Sequence, residues 1–220
     1  MGTELGFWET KLPLGTELTI LKANKTLFYH YMDEKQLIWT EEKRKQVFNC
    51  NVFSIWESYC SPPETHIKRG KAKVFSVLEA RDWVMVIPVI DSPNGKQFVM
   101  VRQWRHGSQS LSLEFPGGVL EPGETPEDAA MRELHEETGY MPKNIRKLGE
   151  LSPNPAIMSN KIHFYLAEDL KNGGKQYLDE DEYVEIALVD TEGVIQGIGE
   201  KPYIHALIGT AIALYQKKDP

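Results

Sequence analysis

From Val47 onward the chain alternates between apolar, β-branched runs and clusters of turn residues. Val47–Trp56, Ala72–Leu78, Trp83–Ile90 and Gln97–Trp104 are rich in Val, Phe and Ile, and are separated by Ser61-Pro62-Pro63 and Asp91-Ser92-Pro93-Asn94-Gly95. Runs of this kind between Pro, Gly and Asn predict strands, with Ile90–Gln97 as a hairpin connection. Leu113–Pro116 predicts a short strand running into Gly117-Gly118. A helix is expected over Pro126–Thr138. Thr125 suits its N-cap, Pro126 its first position, Glu127 and Asp128 the positive end of its dipole, and Gly139 its stop. Arg146–Leu151, Ile162–Ala167 and Tyr183–Val189 predict further strands, and Thr191–Ile198 and Tyr203–Gln216 predict helices. Strands, helix, strands, helix is the order of a mixed α/β domain.

Residues 1–46 are different. Lys11–Lys22 and Lys25–Trp39 hold short apolar runs without a clean period. We read 1–46 as an N-terminal extension, a hairpin or a docking surface, and 47–220 as the domain proper. The longest apolar stretch, Tyr203–Tyr215, is interrupted by His205, Gly209 and Thr210 and falls short of the roughly 18 residues that cross a membrane. The first residues lack the basic and apolar segments of a secretory signal, and Gly6 replaces the Ser or Thr that would follow a myristoylated Gly2. Cys50 and Cys60 form neither a disulfide framework nor a metal spacing. A reducing cytoplasm is the expected setting.

Net charge is −7, and its placement changes the picture. Between Glu114 and Tyr140 stand eight acidic residues and a single base, Arg132, so this segment carries the whole excess. An acidic chain without a basic tract is a poor partner for nucleic acid. On a helical wheel, Glu137 lies about 40° to one side of Glu133 and Glu136 about 60° to the other. The apolar positions Ala130, Met131 and Leu134 begin where Glu137 ends, so the carboxylates border the buried face. A solvated acidic face usually alternates signs to gain i,i+4 pairs. Here only Arg132 is available, with Glu136 in reach. Two unpaired carboxylates about 4 Å apart repel by about 4 kcal/mol at an effective dielectric near 20. Divalent cations would relieve that repulsion, and oxygen-only ligands favour Mg²⁺ or Mn²⁺. A plain acidic surface is the other reading of the helix alone.

The segment reads Gly118, five residues, Glu124, seven residues, then Arg132-Glu133-Leu134-His135-Glu136-Glu137-Thr138-Gly139-Tyr140. It resembles the Nudix box, G-x5-E-x7-R-E-U-x-E-E-x-G-U with U a bulky apolar residue, and departs from it only at Tyr140, where an aliphatic residue is usual. The resemblance implies an α/β/α sandwich with a mixed sheet and a loop–helix–loop metal site, and hydrolysis of a nucleoside diphosphate linked to another moiety. It implies Glu133, Glu136 and Glu137 as magnesium ligands, joined by the Gly117 carbonyl. Arg132 would orient the carboxylates and Glu124 would brace the loop. Pyrophosphate cleavage needs cations to neutralise phosphates and to lower the pKa of the attacking water.

Val101-Arg102-Gln103-Trp104-Arg105 and Leu113-Glu114-Phe115-Pro116-Gly117-Gly118 are similar to patterns of the ADP-ribose pyrophosphatase and nucleotide-sugar branch. That likeness implies substrate phosphates at Arg105, with Arg102 and Glu114 beside them; solvated strand ends are the alternative for the two arginines. Pro155 stands fifteen residues beyond the box, where the branch carries a proline, while Ile157-Met158-Ser159-Asn160 departs from the branch's Gly- and Glu-containing run. Within Leu178-Asp179-Glu180-Asp181-Glu182-Tyr183-Val184-Glu185, the branch implies a loop glutamate that positions metal or water. Glu182 aligns with it first and Glu180 second; an acidic turn is the alternative. Trp56 is read as a core residue, although branch aromatics near the N-terminus also stack on the base. His135 is read as a surface residue.

The expected activity is Mg²⁺-dependent cleavage of ADP-ribose or a related nucleoside diphosphate sugar into a nucleoside monophosphate and a sugar phosphate. Glu136, Glu137, Glu182 and Arg132 are the catalytic candidates. Other Nudix substrates (triphosphates or dinucleotides) and a non-catalytic nucleotide sensor are the alternatives. The branch further implies a homodimer with exchanged N-terminal strands.

Overall fold

The computed structural model describes residues 20–23, 26–29, 34–63, 70–180 and 182–217. Most of the first apolar run (Lys11–Thr19), and Asp181 in the acidic loop, lie outside the described residues. The chain divides into two compact units, Met1–Val47 with Trp56–Ser76, and Phe48–Ile55 with Val77–Pro220.

In the first unit β1 (Ile20–Ala23) and β2 (Thr26–Tyr29) form an antiparallel hairpin, with Ile20 opposite Tyr29. β3 (Thr40–Asn49), β4 (Phe53–Ser61) and β5 (Lys73–Ala80) form a three-stranded sheet in that order. The run Val47–Trp56, expected as one strand, is a hairpin corner. Asn49-Cys50-Asn51 supplies turn-forming side chains, and the Cys50 N–H donates to the Phe53 carbonyl at 3.0 Å. β3 is exposed along its full length, and Leu37, Ile38, Trp39, Val47, Val74 and Phe75 are exposed apolar side chains.

The second unit is built on a mixed sheet ordered β11-β7-β6-β10-β9, with β8 on β7. Its strands are β6 (Trp83–Ser92), β7 (Gly95–Arg105), β8 (Ser110–Glu114), β9 (Tyr140–Leu151), β10 (Ile162–Asn172) and β11 (Glu185–Asp190). β6 and β10 run parallel; β6–β7, β7–β8, β9–β10 and β7–β11 are antiparallel. Alternation splits each central strand between two cores. Val84 and Val86 of β6 and Tyr165 and Ala167 of β10 meet Ala129, Ala130 and Leu134 of helix α1 (Pro126–Thr138). Met85, Ile87 and Val89, with Phe164 and Leu166, meet α2 (Thr191–Gly197) through Val194 and α3 (Ala206–Gln216) through Ile208, Ala211 and Ile212. The sheet is thus covered by helix on both faces, an α/β/α sandwich. Among the described residues no helix is long and apolar enough to cross a membrane.

Several boundaries differ from expectation for identifiable reasons. β9 begins at Tyr140, not Arg146, because it pairs with β10 from Leu151 opposite Ile162 to Tyr140 opposite Asn172. It is the edge strand, where Pro142 costs little hydrogen bonding. β8 stops at Glu114, and β11 begins at Glu185 with Tyr183 exposed before it. α3 starts at Ala206 because the His205 side chain caps it.

Candidate active site

Helix α1 and the loop before it make a self-contained charged unit. The Thr125 hydroxyl accepts the Asp128 N–H at 3.2 Å, Pro126 occupies the first turn, and Gly139 closes the helix at φ 69° with its N–H on the His135 carbonyl. With Ala129, Ala130 and Leu134 packed on the sheet, Glu133 and Glu137 are carried to the edge of that contact. Only 8% of Glu133 and 4% of Glu137 is exposed, whereas Glu136 is half-buried. Arg132 gathers most of this charge. Its Nε and Nη2 donate to the two oxygens of Glu124 at 2.9 and 3.1 Å, and Nη1 donates to Glu133 at 2.8 Å and Glu136 at 2.9 Å. Nη2 also donates to the Val119 carbonyl at 3.2 Å. The Glu136 pair was legible in the sequence; Glu124 and Glu133 as further partners were not.

Glu137 lies on the Gly117 N–H, at 2.9 Å. Gly117 is sterically required, because a Cβ there would collide with the Val84 carbonyl, and a Cβ on Gly118 would push aside the Glu133 carboxylate. Burial pushes the Glu137 carboxyl up to about 8; the charges of Glu133 and Glu182 add to this, against the Gly117 N–H and Arg105. Glu133 is also raised, first by burial, with Arg132 opposing. Buried, mutually repelling carboxylates with oxygen-only donors suit a hard divalent cation, which would take the place of protons. Among the described residues no three His, Cys, Asp or Glu side chains converge tightly enough to encircle an ion. Glu133 and Glu136 are turned toward Arg132 instead.

Glu182 reaches this unit by a second route. Gly173, Gln176 and Tyr177, upstream of it, are fastened to the end of α1. The Gly173 N–H donates to the Gly139 carbonyl at 2.7 Å, and the Tyr177 N–H to the Glu136 carbonyl at 2.8 Å. Gln176 Nε2 donates to the Glu137 carbonyl at 2.6 Å and to the Val184 carbonyl at 3.3 Å. The His135 ring lies 5.0 Å from that of Tyr177, so His135 is a packing residue and not bare surface. The bonds to Glu136 and Glu137 use helix carbonyls that have no partner within the helix. They hold Glu182, itself exposed, where its charge acts on Glu133 and Glu137.

A cleft of about 850 Å³ opens on the other side of the glycine pair. Its walls include Trp104, Arg105, Glu114, Phe115 and His205, and its floor includes Gly117 and Gly118. Arg105 is bidentate on Glu114, with Nε at 3.0 Å and Nη2 at 2.5 Å. Glu114 is completely buried; burial alone would raise its carboxyl, but the guanidinium holds it below the ordinary range. Arg102 and Pro155 do not join this wall. Arg102 pairs with Glu185 across β7 and β11, and Pro155 is exposed in a turn closed by the Asn154 carbonyl. Trp56 is half-buried in β4 of the first unit, its indole 5.7 Å from the Arg44 guanidinium. Gln176 and His205 are the two residues that sequence reasoning passed over. A polar residue following Gly173-Gly174, and a histidine directly before an apolar helix, were the available signals.

With this geometry in place, the relatives can be compared. The NUDIX domain family matches residues 81–206. An ADP-ribose pyrophosphatase of Bacillus subtilis (strain 168) is 33% identical over 183 residues, 81% of this chain and 95% of that one. A methanol dehydrogenase activator of Bacillus methanolicus is 37% identical over 116 residues, 52% of this chain and 63% of that protein. A crystal structure of an ADP compounds hydrolase superposes with a TM-score of 0.69 at 23% identity, covering 82% of this chain and 93% of that one. At that identity the shared feature is the fold.

Proposed function

Since the chain belongs to the NUDIX domain family and is a Nudix pyrophosphohydrolase, we propose that its substrate is ADP-ribose or a closely related nucleoside diphosphate sugar. The observation that carries this reading is the sharing of Gly117-Gly118 between the carboxylate unit of α1 and a cleft walled by Arg105 and Glu114. The cleft has the volume of a small-molecule site, roughly 300–1,000 Å³, and mixes aromatic walls with few polar groups. The likeness to the B. subtilis pyrophosphatase along nearly its whole length supports the same substrate class.

In this reading Arg105 holds the diphosphate, and Trp104 and Phe115 offer apolar surface to the rest of the ligand. A water oxygen bonds to one phosphorus, the bridging P–O bond breaks, and the products are AMP and ribose 5-phosphate. Glu182 or a glutamate of α1 takes the water's proton, which needs a positioned carboxylate close to the attack. Glu133, Glu136 and Glu137, with the Gly117 carbonyl, are the groups that would hold Mg²⁺ or Mn²⁺. When bound, the cation neutralises phosphate charge and acidifies water. Arg132 and Glu124 keep those carboxylates oriented.

Two free cysteines, Cys50 and Cys60, support a cytoplasmic setting, and the exposed apolar residues of the first unit support a homodimer. Sedimentation at several concentrations tests the dimer. The activity test is chromatography of ADP-ribose incubated with the protein and Mg²⁺ or Mn²⁺. AMP and ribose 5-phosphate are expected in equal amounts; cleavage of triphosphates or dinucleotides in preference would overturn the substrate assignment.

A further inference from the structure

His205 belongs to no motif, yet its side chain has a fixed partner. Its ring is the N-cap of α3, where Nδ1 accepts the Leu207 N–H at 3.1 Å. A ring nitrogen that accepts carries no proton, so the proton of the neutral imidazole sits on Nε2. Burial holds the imidazole below its ordinary range against the pull of Glu114, with a smaller push from the Arg105 charge in the same downward direction. The chain leading to His205 is tied to β8, because the Leu113 N–H donates to the Pro202 carbonyl at 3.1 Å. That bond sets the ring beside Glu114, the next residue.

His205 Nε2 and Glu114 Oε2 are 3.9 Å apart, and both residues line the cleft. The distance is too long for a hydrogen bond between them. It does admit an oxygen about 2.8 Å from each, so the two atoms form a fixed donor next to a fixed acceptor. Glu114 has the capacity for one more bond, since each carboxylate oxygen accepts two, Arg105 supplies one to each and the Ser112 side chain a third. A hydroxyl matches this pair, because it can accept from His205 and donate to Glu114. A phosphate oxygen does not, because it only accepts and would meet the charge of a buried carboxylate.

We propose that His205 and Glu114 form a hydroxyl-binding pair that selects a sugar hydroxyl of the substrate, while Arg105 on the other side of Glu114 receives the diphosphate. This rests on the nucleoside diphosphate sugar reading and adds to it a specificity residue outside the box. It separates two neighbouring subsites by chemistry: anionic oxygen at Arg105, neutral hydroxyl at His205.

The test compares kcat/KM for ADP-ribose with its four singly deoxygenated forms, lacking the 2- or 3-hydroxyl of either ribose, in the wild type and two variants. His205→Asn keeps an acceptor for the Leu207 N–H but withdraws the donor. His205→Gln reaches toward the Nε2 position with an amide N–H but loses the cap. In the wild type one deoxy form should fall about 10- to 100-fold, the loss expected for a hydrogen bond to a charged group. That penalty should vanish in His205→Asn, which melts like the wild type, and survive in the less stable His205→Gln. An equal penalty in wild type and His205→Asn, or no deoxy penalty at all, would overturn the proposal and leave the substrate class standing. If ADP-ribose is neither bound nor cleaved by the wild type, the substrate reading falls and takes this inference with it.

Discussion

The two sides of Gly117-Gly118 are assembled in opposite ways. The carboxylate side is local: Glu124, Arg132, Glu133, Glu136 and Glu137 come from fourteen consecutive residues and are bound mainly to one another. The cleft side is collected from three elements, with Arg105 at the end of β7, Glu114 at the end of β8 and His205 at the start of α3. A local cluster can be specified by spacing on one helix. A wall drawn from distant segments exists only after the sheet has formed and its register is set. The carboxylate unit is therefore set by spacing along one helix, and the cleft wall by tertiary structure.

Breaking the local side should have the largest effect. Glu137→Gln removes a buried carboxylate and should lower kcat by about 10²- to 10⁴-fold, the range for a positioned acid–base or ligand group. Its melting temperature without metal should be no lower than the wild type's, because the fold already disfavours the Glu137 charge. Near-normal turnover would remove Glu137 from the machinery. On the cleft side, Arg105→Gln leaves the buried Glu114 without its cation and should cost about 2–4 kcal/mol of stability as well as substrate affinity. Arg102→Gln, which loses only an exposed pair, should change stability by less than about 0.5 kcal/mol. Equal effects from the two arginines, by denaturant titration and KM, would erase the distinction between them.

Gln176→Leu tests the strap that joins Glu182 to the helix. Losing its bonds to the Glu137 and Val184 carbonyls should reduce kcat about tenfold with little change in KM, and speed hydrogen exchange in 173–184. A change in KM alone would argue against a positioning role. The smallest expected effect concerns pH. His205 is held below its ordinary value of 6.5, chiefly by burial, so its contribution to stability is present above that value and is lost as the pH falls below it. His205→Asn, which cannot be protonated, should lose less melting temperature between pH 7 and pH 5 than the wild type. Parallel pH curves for the two proteins would show that this histidine gains no proton on unfolding.

The contrast also explains what could be read in advance. α1 was readable to the residue, Pro126–Thr138, because cap, proline, dipole and stop signals are all local. That Glu133, Glu136 and Glu137 border the buried face followed from the same wheel, while the burial of Glu133 and Glu137 did not. The attachment of Gly173, Gln176 and Tyr177 to the end of α1 was not readable, since their bonds go to backbone carbonyls that any sequence provides. Arg102 and Arg105 stand three apart in one strand with similar credentials. Only the pairing of β7 with β8 and β11 shows that one faces Glu114 and the other Glu185. The corner at Cys50–Val52 was hidden by a run whose composition is strand-like on both sides of it.

Gly118 has a wider consequence. A Cβ there would overlap the Glu133 carboxylate, so a side chain at this position must push that carboxylate aside. Trp104 on the cleft wall is exposed and meets no such constraint. Divergence within a lineage, or a directed-evolution campaign, is thus expected to alter that wall more readily than the carboxylate unit.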